Sequence, residues 1–313
     1  MTTGDPLDKA ACEQHRGRMT TTEASESEPL TGVLRYAAFD VAGRGGNPAG
    51  VVLDATGMSE AHMLRIAAEV GFSETAFLLR DPGETAADRF RVRYFSPLAE
   101  VDFCGHATIA TAVALAERGG TGELMLATRA GEVSVRTDIQ NGRVRATLTS
   151  VPPSLRQVAD TDLDAALAAL GWDPAELDPA LPPRIANAGN DHLVLGAATR
   201  SRLAELDYDQ RALGALMADR GWTTVHLVWR ESATVFHARD PFPPGGVFED
   251  PATGAAAAAF GGYLRNLRLV DPPATIHIRQ GEDMGRPSDL HVGISADPGA
   301  GIAVSGTAAA MPD

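Results

Sequence analysis

Lysine is almost missing from this chain. Lys9 is the only one, and every other basic residue is arginine or histidine. Schiff-base chemistry on pyridoxal phosphate needs a lysine inside the folded site, and a Walker-type phosphate loop needs one as well, so both classes are disfavoured. Cysteine is scarce too. Cys12 and Cys104 are the two present, too few for a disulfide framework or a thiolate zinc site and in keeping with a reducing cytoplasm. No apolar run approaches the ~20 residues of a membrane-spanning helix. Positive charge is also in deficit: 27 Lys and Arg against 41 Asp and Glu give a net charge of −14. Nucleic acid and anionic membrane are therefore disfavoured as partners, since both select basic patches.

What is present fits a globular chain with buried cores. At 313 residues and 44% hydrophobic content the chain can build one large or two medium domains. Residues 1–30 are polar throughout and read as a disordered leader, with Met19 as an alternative start. The rest divides into an N-terminal lobe over 31–150 and a C-terminal lobe over 151–302. Val151-Pro152-Pro153 marks the break, and a last strand near 303–310 is expected to join the first lobe.

Two short stretches organise these lobes. Phe103-Cys104-Gly105-His106-Ala107-Thr108 and Glu249-Asp250-Pro251-Ala252-Thr253-Gly254 are tight, small-residue turns. Each runs into an alanine-rich helix, over Ala107–Arg118 and Thr253–Leu264. The first N–H groups of a helix have no intrahelical partner, the helix dipole adds positive charge there, and glycine lets a ligand come close. Each turn thus reads as an anion site with a titratable side chain beside it, His106 in one and Asp250 in the other. The bland alternatives are a capping histidine and an Asp-Pro helix start. His106 has no second ligand at metal spacing on its helix, so no metal is expected.

Around these turns the chain alternates short strands with a few helices. Ser59 and the spacing of Met63, Ile66, Ala67 and Val70 predict a helix. Glu74 follows, at a strand entry among apolar neighbours. It is either an exposed strand-end carboxylate or a partly buried acid fit to carry protons near neutral pH. Arg89–Phe95 reads as a strand and Ser96–Phe103 as a loop. Glu123–Ala127, Glu132–Asp138 and Arg143–Thr149 read as strands, the last two joined by the hairpin signal Asn141-Gly142. In the second half, helices are expected at Asp162–Leu170, Ser201–Leu206 and Gln210–Arg220. Strands are expected at Arg184–Asn187, His192–Leu195, Val225–Trp229, Thr234–Ala238, Ala274–Gln280, Leu290–Ile294 and Gly301–Ala308. Arg239–Phe248 reads as a proline-rich loop.

From about Tyr36 onward the chain resembles the PhzF-like family of the diaminopimelate epimerase superfamily. The resemblance is carried by Gly46-Asn47-Pro48-Ala49, Ser73-Glu74-Thr75-Ala76-Phe77, Cys104-Gly105-His106-Ala107-Thr108, Glu249-Asp250-Pro251-Ala252-Thr253-Gly254, and Gln280-Gly281 with Gly285-Arg286-Pro287-Ser288. It implies an α/β fold of two similar lobes, each a curved mixed sheet around a central helix. It also implies a homodimer and a cofactor-independent isomerase acting on a small carboxylate-bearing substrate. Characterised members isomerise trans-2,3-dihydro-3-hydroxyanthranilate in phenazine biosynthesis. Carried over by position, Glu74 is the acid/base that removes and returns a proton on carbon, with His106 and Asp250 as further catalytic residues. Asn47, Cys104, Gly105, Thr253, Gly254 and Ala255 are the implied substrate-binding positions. Many members have Ser at the place of Ala255, which puts the phenazine substrate in doubt more than the fold. Cys104 stands near the catalytic cysteine of amino-acid epimerases, but a partner cysteine in the second lobe is absent. An epimerase and a non-catalytic binding homologue remain the alternatives.

Overall fold

The computed structural model describes residues 32–312. The expected leader, Met19, Lys9 and Cys12 lie outside the described residues. The first half carries β1 (Val33–Ala38), β2 (Asn47–Val52), α1 (Glu60–Val70), β3 (Glu74–Leu79), β4 (Arg89–Phe95), β5 (Glu100–Val101), α2 (Gly105–Gly119), β6 (Glu123–Thr128), β7 (Gly131–Gln140) and β8 (Arg143–Thr149). The second carries β9 (Ser154–Arg156), α3 (Asp160–Leu170), β10 (Arg184–Asn187), β11 (Asp191–Gly196), α4 (Arg200–Ala204), α5 (Gln210–Arg220), β12 (Trp222–Arg230), β13 (Val235–Pro241), β14 (Glu249–Asp250), α6 (Gly254–Asn266), β15 (Ala274–Gln280), β16 (Ser288–Ile294) and β17 (Ile302–Ala310).

Local chemistry accounts for much of this. Ser59 caps α1 by accepting from the His62 N–H, and Met63, Ile66, Ala67 and Val70 form its buried face. Asn141 and Gly142 both take positive φ, 51° and 75°, the pair of left-handed residues that a two-residue hairpin turn requires. Three readings need correction. The segment Ser96–Phe103 contains β5, and Arg239–Pro241 continue β13 rather than opening a loop. Glu249-Asp250 is not simply part of a turn but a two-residue strand paired with Asp240 and Pro241. The strand β9 had no signal: it is three residues long and exists by pairing with β10.

The first half closes on itself. β1 pairs with β2, β2 with β3, β3 with β4, β4 with β6, β6 with β7, β7 with β8, and β8 with β17, which returns to β1. α2 runs through this ring, packed on β1, β2, β3, β7, β8 and β17. Every residue from His106 to Ala114 is buried. Only a helix of small side chains can be surrounded by strands in this way, which is why it is rich in Ala and Thr and carries no polar stripe.

The second half repeats the scheme. β10 to β13, then β15 and β16, pair in sequence with the same alternation of parallel and antiparallel neighbours, ending on β17. α6 takes the place of α2, buried from Ala256 to Arg265. The correspondence extends to residues. Tyr94 pairs with Val101 and Phe95 with Glu100 where Asp240 pairs with Asp250 and Pro241 with Glu249. In the first lobe Arg93 Nε and Nη2 donate to Glu100 at 2.7 Å each. In the second, Arg239 donates to Glu249 in the same fork. The α/β fold of two similar lobes is therefore present down to a repeated ion pair. Among the described residues no helix is long and apolar enough to cross a membrane.

Candidate active site

The two short strands β5 and β14 deliver the chain to the two central helices. Cys104 is the N-cap residue of α2 and Thr253 that of α6, and neither side chain caps its helix. The first backbone N–H groups of both helices are thus left without side-chain acceptors, each end carrying partial positive charge. Gly105 and Gly254, the first residues of these helices, line one cavity of about 490 Å³ together with Phe103, Ala255, Asn187 and Gly189. Glu74, His106 and Asp250 are not part of that lining.

Beside the α2 end, three side chains meet. Glu74 opens β3, where its backbone pairs with Ala49. Its Oε2 lies 3.5 Å from Cys104 Sγ and 3.5 Å from His106 Nε2. His106 Nδ1 is 3.3 Å from Cys104 Sγ, and Ser73 Oγ is 3.4 Å from Nε2. Glu74 keeps 16% side-chain exposure, more than the His106 beside it. Burial pushes His106 below the ordinary histidine range; the Glu74 charge and a hydrogen bond with the Pro48 carbonyl oppose this. The imidazole is neutral at pH 7. Burial also pushes the Cys104 thiol well up, helped by the Glu74 charge and opposed by the Ala107 N–H. Cys104 thus stands as a thiol.

Beside the α6 end the polar groups are tightly bonded. Asn47 Nδ2 donates to Asp250 Oδ1 at 2.8 Å and to the Ala252 carbonyl at 3.0 Å. The Thr253 hydroxyl donates to Asp250 Oδ2 at 2.6 Å. Gln280 closes the turn: its Oε1 accepts from the Thr253 N–H, and its Nε2 donates to the Asp250 carbonyl and to Thr253 Oγ1. Gly281 follows with φ 74°, and a Cβ there would stand 2.8 Å from the Pro251 carbonyl oxygen, so only glycine fits beneath this turn. Asp250 does not cap its helix. Burial raises it to about 7, the Asp240 and Glu74 charges add to that, and the bonds from Thr253 and Asn47 oppose it. Glu74 and Asp250 therefore feel each other across the space between the helix ends.

The family can now be named. A model of the PhzC-PhzF family, phenazine biosynthesis-like proteins, matches residues 36–313. The chain belongs to this family. It is 33% identical over 80% of its length, and 86% of the relative's, to a trans-2,3-dihydro-3-hydroxyanthranilate isomerase of Pseudomonas chlororaphis. It is 32% identical over 85% of its length, and 91% of the relative's, to an uncharacterised isomerase of Mesorhizobium japonicum. A crystal structure of a PhzF-family phenazine biosynthesis protein from Bacillus anthracis superposes with a TM-score of 0.80 at 28% identity, covering 90% of this chain and 96% of that one. The chain is a PhzF-family isomerase with the diaminopimelate epimerase-like fold.

The structure brings Glu74, Cys104 and His106 into one cluster and Asn47, Asp250 and Thr253 into another. Gly105, Gly254 and Ala255 lie on the shared cavity. Three contributors were not singled out from sequence: Ser73, the Pro48 carbonyl and Gln280. Each sits in a quoted motif, but what it touches depends on long-range folding. Spacing along α2 also hid that Glu74, Cys104 and His106 place three donor atoms within 4.8 Å of one another. A second such group, His277, Asp289 and His291, lies across β15 and β16, and Arg145 Nη2 stands 3.2 Å from His291 Nε2.

Proposed function

We propose that this chain isomerises a small carboxylate-bearing metabolite by moving a proton between carbons, without a cofactor. The reading rests on one observation: two carboxyl groups in unlike environments, Glu74 and Asp250, beside two uncapped helix ends that share a cavity. Such a pair divides the labour of proton transfer, one group accepting while the other donates. Glu74, the more exposed, takes a proton from substrate carbon and returns it one position along an allylic system. Asp250, poised near neutrality, supplies or receives a proton on the substrate's heteroatom side. Oriented N–H groups at Gly105 and Gly254 hold carboxylate or developing enolate oxygens in place of a cation. Neutral His106 and thiol Cys104 flank Glu74 as hydrogen-bonding groups. The thiol form of Cys104 speaks against a thiolate racemase mechanism.

Trans-2,3-dihydro-3-hydroxyanthranilate and related cyclic amino acids are the first substrates to test, given the Pseudomonas chlororaphis relative. Incubation in heavy water, followed by NMR and ultraviolet absorbance, separates the outcomes. Deuterium incorporation with a shift in absorbance supports allylic isomerisation. Loss of optical rotation without a spectral shift would replace it by epimerisation. Tight binding without exchange would make the chain a binding protein.

A further inference from the structure

Behind Asp250 lies a buried polar network that this proton chemistry has not yet used. Asp240, His226, Thr224 and His192 have no exposure at all. Thr224 Oγ1 donates to Asp240 Oδ1 at 2.9 Å, and His226 Nδ1 lies 3.0 Å from both Asp240 oxygens. His192 Nδ1 is 2.8 Å from Thr224 Oγ1. Burial, with His226 nearby, holds His192 down to about 3, so it is neutral. Because the Thr224 proton is committed to Asp240, His192 donates to Thr224 from Nδ1. The whole chain of donors therefore points at the Asp240 carboxylate. Nothing in the described residues accepts from, or donates to, the outer Nε2 atoms of His192 and His226.

Asp240 is also the direct partner of Asp250 across the β13–β14 ladder. Paired residues in an antiparallel ladder project to the same face with Cβ atoms about 4.5–5.5 Å apart. Their sequence neighbours project to the other face, and there Arg239 serves Glu249. The arginine goes to one face and the two aspartates share the other, where Asp240 has Thr224 and His226 as partners. The lobe repeat shows that the fold does not need this. At the matching rung of the first lobe stand Tyr94 and Val101, while the Arg93–Glu100 pair is kept. By the same register, Thr224 occupies in the second lobe the place that Glu74 occupies in the first: Phe77 pairs with Arg93 as Leu227 pairs with Arg239. The second lobe has put an acid where the first has Tyr94.

We propose that Asp240 is a positioning residue for the reaction: held by Thr224 and His226, its carboxylate is the like charge across the ladder that leaves Asp250 as the carboxyl carrying a proton when substrate arrives. Two carboxylates in one dry site do not both ionise readily. Every other group facing Asp250 has a defined effect. Thr253 and Asn47 donate to it and favour its charge, Gln280 engages only its backbone carbonyl, and Glu74 is a more distant like charge. Cys104 is a neutral thiol that itself responds to the Asp250 charge. That Asp250 donates a proton to substrate rests on the isomerase reading; its coupling to Asp240 does not.

The test needs no substrate. The full-length chain is labelled with ¹³C at aspartate carboxyls and titrated by NMR, with Asp250→Asn assigning the signal. A midpoint near 7 is expected in the parent protein. In Asp240→Asn it should fall by at least about one pH unit, a tenfold loss of proton affinity. His226→Leu removes one of the two side chains that hold Asp240 in place and should also move the midpoint. Circular dichroism establishes which variants fold. An Asp250 midpoint unmoved in either folded variant overturns the proposal. A moved midpoint in a protein that exchanges no proton into any substrate would leave the coupling standing and sink the isomerase reading instead.

Discussion

Thr253 gives its hydroxyl to Asp250, at 2.6 Å, and not to the helix it begins. A threonine at an N-cap normally accepts from a first-turn N–H and so completes its helix. Here the same atom accepts from Gln280 and donates forward, which leaves the α6 end open to a ligand and favours the charged form of Asp250. Thr253→Val should therefore raise the Asp250 midpoint above its value near 7, opposite in sign to the effect of Asp240→Asn. Stability should drop by about 1–3 kcal/mol, because Gln280 Nε2 loses one of its two acceptors. Carboxyl NMR and urea melts read the two effects separately.

Glu74→Gln keeps the shape of the side chain and removes its capacity to accept a proton. Among the described residues its carboxyl makes no ion pair with an arginine, only the long contacts to Cys104 and His106. Folding should be unchanged, with the melting temperature within a few degrees of the parent. Proton exchange into substrate should fall by about 10²–10⁴-fold or more, the usual worth of a positioned acid/base group. The loss should appear in kcat, with KM little altered. Turnover at the parent rate would remove Glu74 from the mechanism.

How much of this could be read from the residues depends on how local each signal is. α1 was legible because its cap and its apolar spacing lie within a dozen residues. α2 and α6 were legible as helix starts through their glycines. The ring of strands around each came from the family resemblance and not from the helices themselves, because a helix buried all round has no polar stripe to orient it. β5, β9 and β14 left no trace, since two or three residues are too few for a period. Glu74, His106 and Asp250 stood out as chemical groups. Their surroundings did not: Asp250 is raised by its burial first, and the Asp240 charge that adds to this reaches it only through a strand pairing. One hint was available. Thr224 and His226 alternate with Val225 and Leu227 in β12, so two polar side chains fall on one face of a largely apolar stretch.

Ala255 is the second residue of α6 and lines the shared cavity. By the lobe repeat it matches His106 in α2, so the second lobe offers only its backbone and a methyl group here. Ala255→Ser adds a donor at this position of the cavity wall. If the substrate is of the phenazine type, affinity should rise by roughly 0.5–1.5 kcal/mol, about threefold to tenfold. Isothermal titration with trans-2,3-dihydro-3-hydroxyanthranilate or a stable analogue measures it. Weaker binding would point to a ligand that uses the methyl surface.

Cys104 is buried and its thiol is pushed well up by that burial and by Glu74. In a Cys12→Ser background, alkylation of Cys104 by iodoacetamide at pH 8 should be far slower than that of a free thiol, and it should quicken only in strongly alkaline buffer or on unfolding. Glu74→Gln removes the neighbouring charge and should speed the reaction. Fast labelling of the folded protein at pH 7 would instead mark a thiolate and reopen the racemase mechanism.

The buried Asp250 also fixes how stability depends on pH. Unfolded, this carboxyl titrates near the ordinary 3.8; folded, it titrates near 7. Between those values the folded chain holds a proton that the unfolded chain has released, so stability falls as pH rises from about 4 to about 7 and is flat above. Each unit of separation is worth about 1.4 kcal/mol, so the fall is on the order of a few kcal/mol. His106 works in the opposite direction, since the unfolded chain protonates it first as pH drops. Comparing the parent with Asp250→Asn cancels that second contribution. The variant should gain stability relative to the parent between pH 4.5 and pH 8, measured by urea melts at both. Parallel curves for the two proteins would mean that Asp250 ionises as freely in the folded chain as in the unfolded one, and that the dry, doubly acidic surroundings described for it are not what it experiences in solution.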